Sequence, residues 1–217
     1  MSGEVAIDIR DVSKRYGPRW ALARVTYALP VGRSLLLTGH NGSGKTTLLR
    51  MIATASFPTA GKLMVLGQDS RDDRQAIRQK VGLLSHASFL YEDLTATQNL
   101  VVLGRLMGLQ DPEGKANALL ERVGLKARTD NPVRQFSAGM RKRVAIARLL
   151  LKAPTIALLD EPFGELDPAG IEQMEQLIAE LKAKGSTLVL ATHQIDQGIR
   201  LTEARLHLEN GRIVEAA

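Results

Sequence analysis

The apolar and polar residues of the chain change spacing along its length, and each spacing predicts a kind of element. Ala6-Ile7-Asp8-Ile9-Arg10 carries the near-alternation of a strand with one buried face. Ser34-Leu35-Leu36-Leu37-Thr38 reads as a strand running directly into a glycine-rich loop. A helix follows from about Lys45 to Ala53, with Leu48, Leu49 and Ile52 on one side. Lys62-Leu63-Met64-Val65-Leu66-Gly67 reads as a further strand ended by glycine. From Ala87 to Ala153 the spacing becomes helical, as in Leu100, Leu103 and Met107, then Ala118, Leu119, Arg122 and Val123, with Gly124 as a stop. Strand character returns at Thr155-Ile156-Ala157-Leu158-Leu159. Ile171, Met174, Leu177, Ile178 and Leu181 then share one helical face, and Gly185 closes that helix. Thr187-Leu188-Val189-Leu190-Ala191 is apolar throughout, as a strand buried on both faces requires. Asn210-Gly211 between Leu206-His207-Leu208 and Arg212-Ile213-Val214 predicts a hairpin.

Strands alternating with helices predict an α/β core with a mostly parallel sheet, and the helical middle section reads as an inserted lobe. The 217 residues suffice for one sizeable core with a subsidiary lobe. Aromatic residues make up only 4%, so aliphatic side chains must fill that core. The absence of cysteine excludes disulfides and cysteine-based chemistry. No apolar run approaches the roughly 18–20 residues of a membrane span, so a membrane role has to pass through a partner. Met1-Ser2-Gly3-Glu4-Val5 carries an early acid and argues against a cleaved secretory signal. The net charge of +6 fits an anionic partner or an ordinary solvated basic surface. Arg141-Lys142-Arg143 lacks interleaved aromatics for base stacking, so no nucleic acid is expected.

Gly39-His40-Asn41-Gly42-Ser43-Gly44-Lys45-Thr46 fits the phosphate-loop pattern G-x-x-x-x-G-K-[ST] in full, between a predicted strand and a predicted helix. Glycines allow backbone angles closed to residues with a Cβ, so successive N–H groups can turn inward around an anion. The helix that follows adds its positive end. Lys45 is expected to reach the β- and γ-phosphates, and Thr46 to offer its hydroxyl to Mg²⁺. Leu158-Leu159-Asp160-Glu161-Pro162 sets two acids at the exit of a buried strand, where ligands gather in parallel sheets. Asp160 is positioned to hold a water on Mg²⁺, and Glu161 to accept a proton from the attacking water.

A third element narrows the family. Phe136-Ser137-Ala138-Gly139-Met140, followed by Arg141-Lys142-Arg143-Val144-Ala145-Ile146-Ala147-Arg148, resembles the L-S-G-G-Q signature and basic helix of ABC ATPases. The resemblance covers essentially the whole chain. It implies an α/β P-loop NTPase core with an antiparallel β portion and an inserted helical lobe. That gives one ABC ATPase domain over residues 1–217, with a core lobe of 1–85 and 151–217 and a signature lobe of 86–150. It implies ATP and Mg²⁺ as ligands, with Asn41, Gly42, Ser43, Gly44 and Thr47 beside Gly39, Lys45 and Thr46 around the phosphates. Tyr16 matches the aromatic that stacks on adenine. Ser137 and Gly139 match residues that touch ATP held by an opposite subunit, and Asp167, in Gly164-Glu165-Leu166-Asp167, matches the D-loop contact. His193 matches the switch histidine near the γ-phosphate. The implied partners are membrane-spanning subunits and a second ABC ATPase subunit, which places the chain on the cytoplasmic face of a bacterial inner membrane.

Three positions depart from the commonest pattern: His86 where the family's Q-loop glutamine stands, Ala138, and Met140. With Thr192-His193-Gln194 they resemble the haem-exporter ATPase of bacterial cytochrome c maturation. Other bacterial exporters of drug or multidrug type remain the alternative, and a soluble ABC ATPase without transport is a third reading.

Overall fold

A computed structural model describes residues 4–85, 89–125 and 131–216. Among these residues ten strands and seven α-helices follow in the order β1 (Val5–Tyr16), β2 (Arg19–Pro30), β3 (Ser34–Thr38), α1 (Lys45–Ile52), β4 (Ala60–Val65), β5 (Gln68–Asp69), α2 (Arg74–Lys80) and β6 (Val81–Leu84). Then come α3 (Ala96–Leu106), α4 (Pro112–Arg122), α5 (Ala138–Lys152), β7 (Ile156–Asp160), α6 (Pro168–Ala183), β8 (Thr187–Ala191), α7 (Ile195–Leu201), β9 (Ala204–Glu209) and β10 (Arg212–Ala216). The chain divides into two compact units. One holds the residues through Leu83, Pro154–Pro162 and those from Leu177 onward; the other holds Leu84–Ala153 and Phe163–Gln176. Besides Leu84–Ala153, the second unit takes in the turn after the acidic strand and the first half of α6.

The first unit contains a sheet in the order β10-β9-β3-β8-β7-β6 and a second in the order β2-β1-β4-β5. Every residue of β3, β7 and β8 is buried, which is why those segments read as unbroken apolar runs. β8 pairs in parallel with both β3 and β7, and β3 with β9. The four strands of the second sheet pair antiparallel throughout. α1 buries Leu48, Leu49, Met51 and Ile52. α7 lies against β3 so closely that a Cβ on Gly198 would stand 2.5 Å from Leu36 Cδ1.

The hairpin is present with its expected turn. Asn210 and Gly211 take φ of 47° and 76°, as the tight turn between β9 and β10 requires. The sequence pattern leaves β2 unseen. Ala21-Leu22 and Ala28-Leu29 are adjacent apolar pairs, Arg24 sits at φ 53°, and the β1–β2 ladder shifts register several times, so no clean period of two survives.

In the second unit α3, α4 and α5 pack on one another. Thr95 and Gln98 form a reciprocal capping box at the start of α3. Buried Asn99 bonds both the N–H and the carbonyl of Tyr91, tying the preceding segment to the helix. The buried stripe of α4 differs from the expected one. Ala116, Leu120 and Val123 face inward, Ala118 and Arg122 are exposed, and Leu119 is half-buried. Alanines at 116 and 118 are equally small, so spacing alone cannot choose between the two faces.

Candidate functional site

The order β3-β8-β7 makes the site. Leu37 and Asp160 both pair with Ala191 of the central strand, so the carboxyl ends of three strands finish level. The glycine loop leaves β3 there, the acidic pair leaves β7, and Thr192-His193 leave β8.

The loop's shape follows from its glycines. Gly39, Gly42 and Gly44 take φ of 141°, 83° and 111°, in the region that side chains rarely enter. Space is as restrictive as angle. A Cβ on Gly39 would lie 2.2 Å from the Leu208 carbonyl oxygen and 2.5 Å from Ser43 Oγ, and one on Gly44 would lie 2.6 Å from the Ala21 carbonyl oxygen. Ser43 N–H donates to the His40 carbonyl at 3.1 Å, closing the turn. His40 Nδ1–H donates to the Asn41 carbonyl at 2.7 Å. Lys45 is buried, and its ammonium donates to the carbonyls of Gly39 at 2.6 Å and His40 at 3.1 Å. Ser43 Oγ is buried and has no hydrogen-bond partner among the described residues, which suits a loop shaped around a polar ligand. Asn41 and Gly42 are exposed, and Thr47 is half-buried on α1.

Thr46, the second residue of α1, donates its hydroxyl to Asp160 Oδ2 at 2.8 Å. Asp160 is buried, and burial pushes its carboxyl above the usual carboxylate range. The Thr46 hydroxyl opposes that shift, and the neighbouring Glu161 adds to it. A carboxyl raised in the folded chain stabilises that chain below its ordinary value and loses the contribution as pH climbs through the raised one. Asp160→Asn escapes that loss, because the amide stays neutral and still accepts from Thr46. It should melt higher than the unaltered chain at pH 7, and the two should converge toward the ordinary value of about 3.9. Thermal melts across that range decide; a lower melt for the variant at pH 7 would contradict the burial argument.

Glu161 stands at φ 49°, costly for a residue with a Cβ by about 1–2 kcal/mol. Its N–H continues the β7 ladder onto the Ala191 carbonyl at 2.8 Å. Its carboxylate Oε2 accepts from His193 Nδ1 at 2.8 Å and from the His193 backbone N–H at 3.3 Å. The carboxylate thereby sets the ring, with the proton on Nδ1. Lys45, Thr46, Asp160, Glu161 and His193 thus gather at the carboxyl ends of these three strands.

The hairpin at the end of the chain reaches this loop, a connection that no local pattern announces. Gly211 N–H donates to the Ser43 carbonyl at 3.0 Å and its own carbonyl accepts from Ala23 N–H at 2.8 Å. A Cβ on Gly211 would meet the Ala21 carbonyl oxygen at 2.7 Å. His207 Nδ1 lies 2.8 Å from the hydroxyl of Thr38, the residue before the loop. Gly211→Ala should cost about 1–3 kcal/mol of stability through backbone strain and weaken nucleotide binding several-fold. Melts and titration with a fluorescent ATP analogue measure both; unaltered affinity would detach the hairpin from the loop's shape.

Tyr16 ends β1 with its ring half-exposed. Its hydroxyl lies 3.3 Å from Ser56 Oγ, and the Lys14 ammonium stands 4.9 Å from the ring centre. In the second unit Ser137 caps α5 by accepting from Met140 N–H at 3.2 Å, as a signature serine at a helix start would. Ser137, Gly139, Met140, Leu125, Arg143 and Asp167 line an open cleft of about 720 Å³. Arg143, which reads in the sequence only as one of three consecutive basic residues, is paired to Asp167 at 2.7 Å. His86 lies outside the described residues.

Among the described residues no cluster of three or more His, Asp or Glu could hold a metal. The Thr46–Asp160 pair fits a different demand, that of Mg²⁺, which keeps several waters and takes one or two protein oxygens. No helix among the described residues is long and apolar enough to cross a membrane.

Known proteins share this architecture. A protein-family model described as ABC transporter matches residues 22–164. The Nod factor export ATP-binding protein I of Burkholderia orbicola is 34% identical over 214 residues, spanning 97% of this chain and 70% of that protein. The daunorubicin resistance ATP-binding protein DrrA3 of Streptomyces coeruleorubidus is 34% identical over 97% of this chain and 67% of its own length. Among solved structures, the dimeric post-hydrolysis state of the ATP-binding cassette MJ0796, bound to ADP and Pi, superposes with a TM-score of 0.90 at 28% identity, covering 97% of each chain. The cbiO1 protein of Clostridium perfringens, part of the ABC transporter complex cbiONQ, does so with 0.81 at 25% identity over 99% of this chain and 88% of that one.

Proposed function

Since this chain belongs to the ABC transporter ATP-binding family, we propose that it hydrolyses ATP to drive a bacterial exporter of the Nod factor or drug-export kind, through membrane-spanning subunits on other chains. The single observation that supports the chemistry most directly is the 2.8 Å bond from Thr46 to Asp160 at the strand ends that also carry Lys45 and the Glu161–His193 pair.

The reaction is water attack on the γ-phosphorus of ATP. A bond forms from the water oxygen to phosphorus, the bond to the bridging oxygen of ADP breaks, and one water proton leaves. Such transfers depend on positioning and charge neutralisation. The loop amides from Gly39 to Thr46, including Asn41, Gly42, Ser43 and Gly44, wrap the phosphates, and Lys45 adds a full charge. Thr47 extends that set along α1. Glu161 receives the proton, and His193 holds the Glu161 carboxylate in place and lies near the γ-phosphate. Thr46 and Asp160 would hold Mg²⁺, which would supply charge neutralisation across the phosphate oxygens. Tyr16 offers its half-exposed ring to adenine.

The two compact units act as one ATPase domain. Ser137, Gly139 and Asp167 serve the ATP of a second subunit, probed most simply as a second copy of this chain. His86 takes the Q-loop place, where the family's glutamine stands. The working position is the cytoplasmic face of the inner membrane.

The cargo reading shifts from the one the signature departures suggested. Haem export finds no support in these relatives, whose names concern Nod factor export and daunorubicin resistance. Cargo touches membrane subunits, so Ala138, Met140 and the residue at 86 carry little information about it.

The test is to recover the membrane proteins that accompany this chain from detergent-solubilised source membranes and to measure ATPase activity with and without them. Membrane-spanning subunits that raise turnover and export a drug-like molecule are expected. A periplasmic haem chaperone among them would restore the haem reading. Ribosomes or DNA without membrane proteins would overturn transport altogether.

A further inference from the structure

We propose that Arg143 is a positioning residue that fastens the loop before α6 to the start of α5, so that Ser137, Gly139 and Asp167 meet the opposite subunit as one body. This rests on the ATPase-pair reading above and assigns a role to a residue that the reading leaves unused.

Arg143 lies on the second turn of α5, its side chain 21% exposed. One guanidinium nitrogen donates to Asp167 Oδ1 at 2.7 Å, and another reaches the Val123 carbonyl at 3.4 Å, past the end of α4. The fork thus joins three segments that are distant in sequence. Asp167 Oδ1 accepts a second bond, from Gly170 N–H at 3.0 Å, and so caps α6 as well. Arg143 first, and the Gly170 amide second, hold the Asp167 carboxyl below the usual carboxylate range.

Backbone contact runs beside the ion pair. A Cβ on Gly139 would stand 2.7 Å from the Glu165 carbonyl oxygen, so the first turn of α5 and the loop touch where the signature glycine sits. Gly139 is therefore fixed by this packing, independently of any ligand. The glycine permits the approach and Arg143 holds it.

The pairing also has an electrostatic consequence. The cleft between these segments carries the residues assigned to a γ-phosphate, and a bare carboxylate there would repel that anion. Arg143 balances the Asp167 charge. Lysine could not do the same work, because a single ammonium lacks the planar fork that meets a carboxylate and a carbonyl together.

The experiment uses the full chain carrying Glu161→Gln, in which ATP-driven pairing should persist long enough to measure by analytical ultracentrifugation. Adding Arg143→Ala should leave the affinity for a fluorescent ATP analogue within about twofold, while raising the concentration needed for ATP-dependent pairing by about tenfold. Arg143→Lys should fall between. Asp167→Ala, which also removes the Gly170 bond and the Asp167 contact to the opposite subunit, should lose at least as much pairing as Arg143→Ala, and the double variant should be no worse than Asp167→Ala alone. Full pairing by Arg143→Ala, or additive losses in the double variant, would overturn the proposal. Amide exchange supplies a readout that needs neither nucleotide nor a second subunit. Arg143→Ala should speed exchange across residues 163–167 and leave the 39–46 loop unchanged; equal exchange at 163–167 in both proteins would overturn the clamp. If the Glu161→Gln chain with Arg143 intact never pairs in ATP, the ATPase-pair reading fails instead, and amide exchange still decides for or against the clamp.

Discussion

Glu161→Gln should bind ATP as tightly as the unaltered chain and hydrolyse it about 10²–10⁴-fold more slowly, the range that a positioned general base contributes. The amide has the same shape as the carboxylate. Its oxygen can still accept from His193 Nδ1 and the His193 backbone N–H, which now meet Glu161 Oε2 at 2.8 and 3.3 Å. The backbone at φ 49° and the N–H bond to Ala191 do not depend on the side chain. Only the capacity to take a proton from water is lost. Phosphate release in a single turnover, compared with equilibrium nucleotide binding, separates the two effects. Turnover near the unaltered rate would remove Glu161 from the role of base. A fall in affinity equal to the fall in rate would mean that the substitution had disturbed the loop instead.

Lys45→Ala should act the other way, on binding before chemistry. Two of the three ammonium donors meet the carbonyls of Gly39 and His40, so the charge is held inside the loop by the loop itself. A hydrogen bond to a charged group is worth about 1.5–3 kcal/mol, so Kd for ATP should rise roughly tenfold to a hundredfold. Adenosine, which has no phosphates, should bind both proteins alike. That comparison carries the weight of the test. Unchanged ATP affinity would contradict the phosphate cradle. An equal loss for adenosine would point to a collapsed loop, since removing Lys45 also frees two carbonyls.

The two experiments divide along a physical line. Lys45 lies within the loop's continuous segment, whereas Glu161 works only because β8 stands between β3 and β7. The registers Leu37 to Ala191 and Asp160 to Ala191 bring the exits of three strands level. A one-residue slip in either pairing would turn the alternating side chains to the opposite faces.

Much of this was legible before any coordinates. Ser34–Thr38 and Thr187–Ala191 occur as strands with the bounds that their apolar runs suggest, and Lys45 opens α1 as the loop pattern requires. Asn210-Gly211 forms its turn because those two residues tolerate the angles it needs. What stayed hidden had no local signature. β2 was masked by paired apolar residues and an irregular ladder. The inward face of α4 depended on which of two alanines met its neighbours.

The sequence by itself determined the buried strands of the larger sheet, the phosphate loop and the identity of the acids, because glycine angles, apolar runs and charge are properties of neighbouring residues. Tertiary structure alone decided that Gly211 grips Ser43 across 168 positions and that Arg143 holds Asp167 across 24, because those bonds follow from strand order and helix packing. Backbone and guanidinium donors are short-ranged and choose whichever acceptor the fold brings within about 3 Å, a choice no spacing along the chain records.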